Sequence, residues 1–209
     1  MNARRGAGVA LCLLALLLLL PVMLAAALAV LLTDGRPVLY RAERVGRDGR
    51  PFHLLKFRTM TAGAAGPAVT GSADPRITQV GRLLRRTKLD ELPQLVNVLR
   101  GEMNLVGPRP EDPRFVALYS SQQREVLSVR PGITSPAAVR YRHEESLLAA
   151  AGDRCDDVYV AEIMPAKLAI DLDYVRHPSL TTDLVVLWRT AAAVVEVRPK
   201  AAAGQRDAS

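Results

Sequence analysis

Asp90 and Glu91 stand side by side in the stretch DPRITQVGRLLRRTKLDELPQLVNVLRGEMNLVGPRP, with Arg82, Arg85 and Arg86 before them and Arg109 after them. Adjacent carboxylates among guanidinium groups suit phosphate chemistry assisted by a metal ion. One acid can attack phosphorus while the other holds Mg2+, the hard cation that carboxylates and diphosphates bind together. Arg82, Arg85, Arg86 and Arg109 are equipped to clamp phosphate oxygens through paired N–H donors, which lysine does less well. A plainer account competes. Asp90 is placed to cap a helix beginning near Glu91, where Pro93 in the first turn loses nothing by lacking an N–H. Leu92, Leu95, Val96 and Leu99 then fall at helical spacing, and Gly101 supplies the stop. The two accounts share a geometry, since a helix N-terminus favours an ionised Asp90 and offers free N–H groups to a phosphorylated substrate.

The elements that must position these groups are short. Pro37 to Tyr40 and Phe52 to Met60 read as strands around a turn at Gly46 to Gly49. Thr61 to Ala73, rich in Ala, Gly, Thr and Ser, reads either as a loop able to close over substrate or as a plain linker. GPRP holds Arg109 between two prolines, so its backbone is stiff while its guanidinium is free for an anion or for a structural salt bridge. Arg130 to Thr134, RPGIT, reads as a turn. Towards the end, Lys167 to Arg176 and Asp183 to Val197 are amphipathic helical patterns parted by Pro178. In the second, Leu184, Leu187, Trp188, Ala191 and Val195 form a stripe suited to a core or to a membrane surface. His53, His143 and His177 lack metal-ligand spacing. Cys12 and Cys155 suggest no disulfide framework and fit a reducing compartment. The tail after Lys200 reads as disordered.

From Val9 to Leu32 there is no charged residue. As one straight helix this run would be about 36 Å long, enough to span a bilayer. A signal peptide is a second account, with Arg4 and Arg5 before the apolar stretch and Ala27-Leu28-Ala29 as a cleavage site; the run continues to Leu32, past that site. Pro21, near the middle, removes a backbone hydrogen bond and kinks the helix. Arg4 and Arg5 precede the run and Arg36 and Arg41 follow it, so flanking charge does not favour moving either end across the bilayer. A kinked helix that re-enters the leaflet it came from satisfies both observations.

The 209 residues suit one modest domain plus this membrane element. Their net charge of +7 is concentrated between Arg36 and Met60 and between Arg76 and Arg100. Such a surface fits nucleic acid, anionic lipid or a diphosphate. With 4% aromatic residues and no nucleic-acid-binding motif, nucleic acid is the weak member of that set.

ERVGRDGRPFHLLKFRTM, the DPRITQ–GPRP stretch and RPGIT, in this order after an apolar segment, resemble the bacterial sugar transferases, the small monotopic phosphoglycosyl transferases. The resemblance runs from about Val9 to Val197. It implies transfer of a sugar 1-phosphate from a nucleoside diphosphate sugar, with a UDP-sugar as the expected donor, to polyprenyl (undecaprenyl) phosphate, releasing the nucleoside monophosphate. That is the first membrane step of bacterial glycan or exopolysaccharide assembly. It further implies a covalent route in which Asp90 is the nucleophile and Glu91 the Mg2+ ligand, with Arg85 and Arg109 neutralising phosphate. Lys56 and Arg58 of KFRTM fall to the phosphate-binding region, Asp183 matches a carboxylate near the active site, and Pro21 matches the break in the family's re-entrant helix. The implied setting is the cytoplasmic face of the inner membrane, with membrane lipids as neighbours. Three departures stand out: Leu20 where some relatives have serine, no basic-x-x-Asp start in ARRGAGVAL, and Ser135-Pro136-Ala137-Ala138 where many relatives continue Gly-Leu-Ala-Gln. The expected fold is α+β and mainly helical, with residues 1–35 as a re-entrant anchor, 36–199 as one cytosolic catalytic domain with a small β element and amphipathic interfacial helices, and 200–209 as a tail. A Mg2+-dependent nucleotide-sugar hydrolase and a non-enzymatic membrane-surface scaffold are the rival readings.

Overall fold

The computed structural model describes residues 3–66, 69, 74–148 and 154–195. The architecture is α+β and mainly helical, led by one long apolar helix, α1 (Ala3–Asp34). The segment Arg5–Asp34 is long and apolar enough to cross a membrane, with a mean hydropathy of 2.9. It continues through Pro21, so the proline removes one backbone hydrogen bond without ending the helix, and the break expected there is no interruption of helical structure. One stripe of α1 lies on the rest of the protein along most of its length. Cys12, Ala15 and Leu16 pack against Leu95, Val98 and Met103, and the Cys12 thiol donates to Leu95 O at 3.2 Å. Further on, Met23, Ala26, Ala27 and Val30 pack against Phe57 and Leu84. The opposite face, with Leu11, Leu14, Leu17, Leu18, Leu24, Leu28 and Leu32, is exposed; Leu32 reaches 75%.

Next come β1 (Leu39–Val45) and β2 (Pro51–Phe57), an antiparallel hairpin in register from Leu39 opposite Phe57 to Val45 opposite Pro51. Asp48 and Gly49, both at positive φ, make the turn, as the GRDGR composition anticipates. α2 (Gln79–Arg86) is capped by Thr78, whose hydroxyl accepts from Gly81 N at 2.9 Å and donates to Asp34 at the end of α1. Gly81 lets α2 approach the backbone of Thr59 too closely for any side chain. α3 (Gln94–Arg100) follows and ends at Gly101 in the left-handed conformation, as expected.

β3 (Asn104–Val106) and β4 (Gly132–Thr134) pair in parallel, Asn104 with Gly132 and Val106 with Thr134. RPGIT is therefore half turn and half strand, and the pairing lays it beside GPRP. Between them lies α4 (Pro113–Val116), and after them α5 (Pro136–Arg140), α6 (Glu144–Leu148), α7 (Cys155–Val158), α8 (Met164–Arg176) and α9 (Leu180–Val195). The main core is formed by α4, the turn around Val126, α7 and α8, with Phe115, Tyr119, Tyr159, Ile163, Leu168 and Leu172 buried. On α9, Val186 packs on Val106 and Tyr174, and Leu187 is partly covered. Leu184 and Trp188 of the same expected stripe face outward, Trp188 at 70% exposure. The tail 200–209 lies outside the described residues, as does part of the Thr61–Ala73 loop.

Candidate active site

Asp90 and Glu91 lie on a single 3-10 turn, Leu89–Glu91, entered through Lys88 at φ 57°. The α-helix starts only at Gln94, with Pro93 at its cap position and no side-chain cap. Asp90 therefore does not cap a helix as the sequence suggested, because the 3-10 turn and Pro93 separate it from the first α-helical residue. Its side chain is buried, at 5% exposure, and Oδ1 has no hydrogen-bond partner among the described residues. A buried, unpaired carboxylate oxygen is costly, and structural capping leaves it unexplained.

Glu91 is held from two sides. Arg109 makes a two-pronged contact, Nη2 donating to Oε1 at 2.6 Å and Nη1 to Oε2 at 3.2 Å, while Lys56 Nζ donates to Oε1 at 3.3 Å. The planar guanidinium fork matches the carboxylate, and GPRP stiffness fixes its direction. Lys56 is delivered by the last turn of the pleat of β2. That strand is tied to α3 by Asn97, which accepts from Leu55 N at 3.1 Å and donates to His53 O at 2.8 Å.

The electrostatics divide the pair. Burial pushes the Asp90 carboxyl up, reinforced by the Glu91 charge and opposed by Lys56, Lys88 and Arg85. The expected helix dipole does not act at Asp90, because the α-helix begins only at Gln94, and the charges of Lys56, Lys88 and Arg85 offset its desolvation in part. Burial alone would raise Glu91 too, but the charges of Arg109 and Lys56 and the Arg109 hydrogen bonds outweigh it and hold this carboxyl well below the usual range. Glu91 in turn raises Arg109, and burial lowers Lys56.

The other expected residues separate. Arg85 on α2 donates from Nε to Thr59 Oγ1 at 3.1 Å and acts on Asp90 through its charge. Arg58 meets the end of α1. Its backbone N–H donates to Val38 O at 2.9 Å, one step beyond the Leu39–Phe57 pair, and its Nη2 donates to the carbonyls of Asp34 and of Gly35, the latter at 3.0 Å. It secures the exit of α1. Asp183 on α9 accepts from the Tyr174 hydroxyl at 2.6 Å, in the cluster around Val106 and Val186.

A carboxylate the sequence reading passed over is Asp171. It lies on α8 at 5% exposure and accepts from Ala137 N at 3.2 Å, and the nearby Ser135 hydroxyl and Arg109 backbone N–H favour its charged form. It thereby links α5 to the loop that carries Arg109. The signal was present: Leu168, Asp171 and Leu172 share one face of a helix, and an acid on an apolar stripe needs a partner. Ser135 and Pro136, the departure noted above, start α5, with Ser135 accepting from Ala138 N at 3.0 Å.

Among the described residues no three His, Cys, Asp or Glu side chains form a metal cluster. The donors present still fit Mg2+, which takes one or two carboxylates and completes its shell with water and substrate phosphate. Glu91 is ionised, its Oε2 carries one recorded hydrogen bond, and the unpaired Oδ1 of Asp90 is on the neighbouring residue.

The sequence model of the family described as bacterial sugar transferase matches residues 2–197. The chain is 42% identical over 175 residues to the UDP-glucose:undecaprenyl-phosphate glucose-1-phosphate transferase of Caulobacter vibrioides, covering 81% of this chain and 61% of that protein. It is 34% identical to the exopolysaccharide production protein ExoY of Sinorhizobium fredii, covering 92% and 85%. It is also 34% identical to the UDP-N-acetylgalactosamine-undecaprenyl-phosphate N-acetylgalactosaminephosphotransferase of Aeromonas hydrophila, covering 90% of this chain and 42% of that one.

Asp171 yields a prediction about stability. Burial pushes its carboxyl up to about 6, above the unfolded value of about 4. The folded state therefore binds more protons between these values, and this group's contribution falls as pH rises from about 4 to about 6. Asp171→Asn keeps an acceptor oxygen without the charge. Denaturant titrations should show the variant gaining on the wild type by ~2 kcal/mol across that window. A constant difference between the two proteins would contradict the assignment.

Proposed function

The chain belongs to the bacterial sugar transferase family, and from that premise we propose that it transfers a sugar 1-phosphate from a UDP-sugar to undecaprenyl phosphate, releasing uridine monophosphate. The observation that carries this reading is the buried Asp90 with an unpaired oxygen beside a Glu91 clamped by Arg109 and Lys56. A carboxylate kept apart from hydrogen-bond donors retains its lone pairs for an electrophile. Asp90 attacks the sugar-linked phosphorus, a new Oδ–P bond forms, and the bond from that phosphorus to the bridging oxygen breaks with its electron pair leaving on uridine monophosphate. The phosphate oxygen of undecaprenyl phosphate then attacks the same phosphorus and frees Asp90. Arg109 and Lys56 stand where phosphate charge concentrates, so charge developing on the leaving group meets fixed cations. Glu91 would hold Mg2+ when bound, supplying charge neutralisation to the diphosphate. Names of relatives carry both glucose and N-acetylgalactosamine, so the sugar is left at the class of UDP-sugars.

The reading extends to topology. Residues 1–35 serve as a re-entrant anchor in the cytoplasmic membrane, and 36–199 as a catalytic domain on its cytoplasmic face. What supports this is that both ends of α1 meet the same domain. Near the start, Arg5 lies against Gly101; at the end, Asp34 accepts from Thr78 at 2.9 Å and Arg58 binds the last carbonyls. A helix delivering its start to the far side of a bilayer has no such pair of contacts. An anchor of this kind holds Asp90 at the height of a lipid phosphate, which shortens the search for the acceptor.

Purified protein given a panel of UDP-sugars should release at most one equivalent of uridine monophosphate alone, and should turn over and form a lipid-linked product only when undecaprenyl phosphate is present, and Asp90→Asn should lower turnover by at least about a thousandfold. Release of many equivalents of nucleotide with no lipid product would mark a hydrolase instead; normal turnover in Asp90→Asn would remove the nucleophile. For topology, Cys12 and Cys155 are buried, so a cysteine introduced at Asn2 is a clean reporter. An impermeant maleimide added outside intact cells should leave it unlabelled, and labelling would give a spanning helix.

A further inference from the structure

A second concentration of positive charge lies at the start of α1, away from Asp90 and Glu91. Arg5 reaches the end of α3 so closely that a Cβ on Gly101 would lie 2.6 Å from its Nη2. Arg130 comes to the same residue from the segment before β4, its Nε donating to Gly101 O at 2.9 Å. Exposed Arg100 is the preceding residue. Burial and the charges of Arg5 and Arg47 push the Arg130 guanidinium down from its ordinary value, the mark of like charges held together. Among the described residues no ion pair gives Arg5 or Arg130 a carboxylate. Arg47 has Asp48 at 3.3 Å, and Glu102, the acid next to Gly101, turns its Oε2 to Asn97 at 2.7 Å. Arg5 Nη1 is buried without a hydrogen-bond partner among the described residues. The end of α3 gives Arg130 one carbonyl, Gly101 O, while Asn97 O already accepts from Glu102 N and Met103 N, so what the helix end supplies is a dipole and no carboxylate.

Two guanidiniums meeting at one glycine, with a buried N–H unsatisfied, describe a seat for an anion. We propose that Arg5 and Arg130 bind the phosphate of an anionic phospholipid headgroup. The location selects a lipid over a soluble anion. Arg5 opens the helix whose uncovered leucine face begins at Leu11, roughly 9 Å further along the axis. A headgroup phosphate sits at that distance from the acyl region, and the planar guanidinium matches it through paired donors. Bound there, the lipid supplies the counter-charge the fold omits and fixes the start of α1 at the membrane surface.

Native mass spectrometry of the full chain, released from detergent with equal phosphatidylglycerol and phosphatidylcholine, reads this site directly. The wild type should retain phosphatidylglycerol in preference, and Arg5→Gln should reduce the preference about tenfold. Arg5 makes no recorded hydrogen bond, so Arg5→Gln tests the site even if Arg130→Gln, which loses the Gly101 contact, fails to fold. Equal retention of the two lipids, or an unchanged preference in Arg5→Gln, would overturn the proposal. So would displacement by millimolar inorganic phosphate, which would make the site one for free anions. Displacement of phosphatidylglycerol one for one by undecaprenyl phosphate would make it the acceptor's seat and equally overturn it.

Discussion

A carboxylate pair withdrawn from water can stay charged only if cations are held beside it, and the structure is organised around meeting that condition at Asp90 and Glu91. Each cation arrives on a different element: Lys56 on the hairpin, Arg85 on α2, Lys88 on the turn itself and Arg109 on the stiff loop after β3. Parallel pairing of β3 with β4 brings that loop beside the start of α5, and Asp171 on α8 bonds Ala137 of α5 and lies near the Arg109 N–H. Loss of any of these supports acts on the charge balance first and on packing second. The outcome is asymmetric, with Glu91 fixed as a partnered anion and Asp90 left desolvated with an oxygen to spare. Catalytic pairs work when environment drives two similar groups apart in this way.

The second constraint is placement relative to lipid. α1 has one face for the protein and one for an apolar medium, and small residues such as Cys12, Ala15, Ala26 and Ala27 allow its close approach to α3 and the hairpin. Arg58 and Thr78 then fasten its last turn. The same strand therefore serves both ends of the mechanism, since β2 aims Lys56 at Glu91 and the residue just past its end holds the anchor.

Much of this was legible in the sequence, and the misses have physical causes. Local patterns carried well. The Gly-rich turn gave the hairpin, Gly101 stopped α3, the uncharged run gave α1, and the acid pair with Arg109 and Lys56 did converge. What failed depended on contacts distant in sequence or on one-residue differences in backbone geometry. Lys88 at positive φ converts an expected α-helical start into a 3-10 turn, which takes Asp90 out of a capping role. Strands of three residues such as β3 and β4 carry no periodicity, and their parallel pairing spans a long intervening segment. On α9, the expected stripe divides because Val186, not Leu184 or Trp188, meets the core. Asp171 was missed because an acid within a helical pattern reads as solvated unless its apolar neighbours are weighed.

The account turns on Asp90 forming a covalent bond to phosphorus, and intact-protein mass spectrometry with peptide mapping measures that directly. Incubated with a donor UDP-sugar and no acceptor lipid, then quenched in acid, the protein should gain the mass of one phosphosugar, mapped to the peptide containing Asp90 and discharged when undecaprenyl phosphate is added. Release of uridine monophosphate from the same sample with an unmodified Asp90 peptide, or with the adduct on another residue, would contradict it.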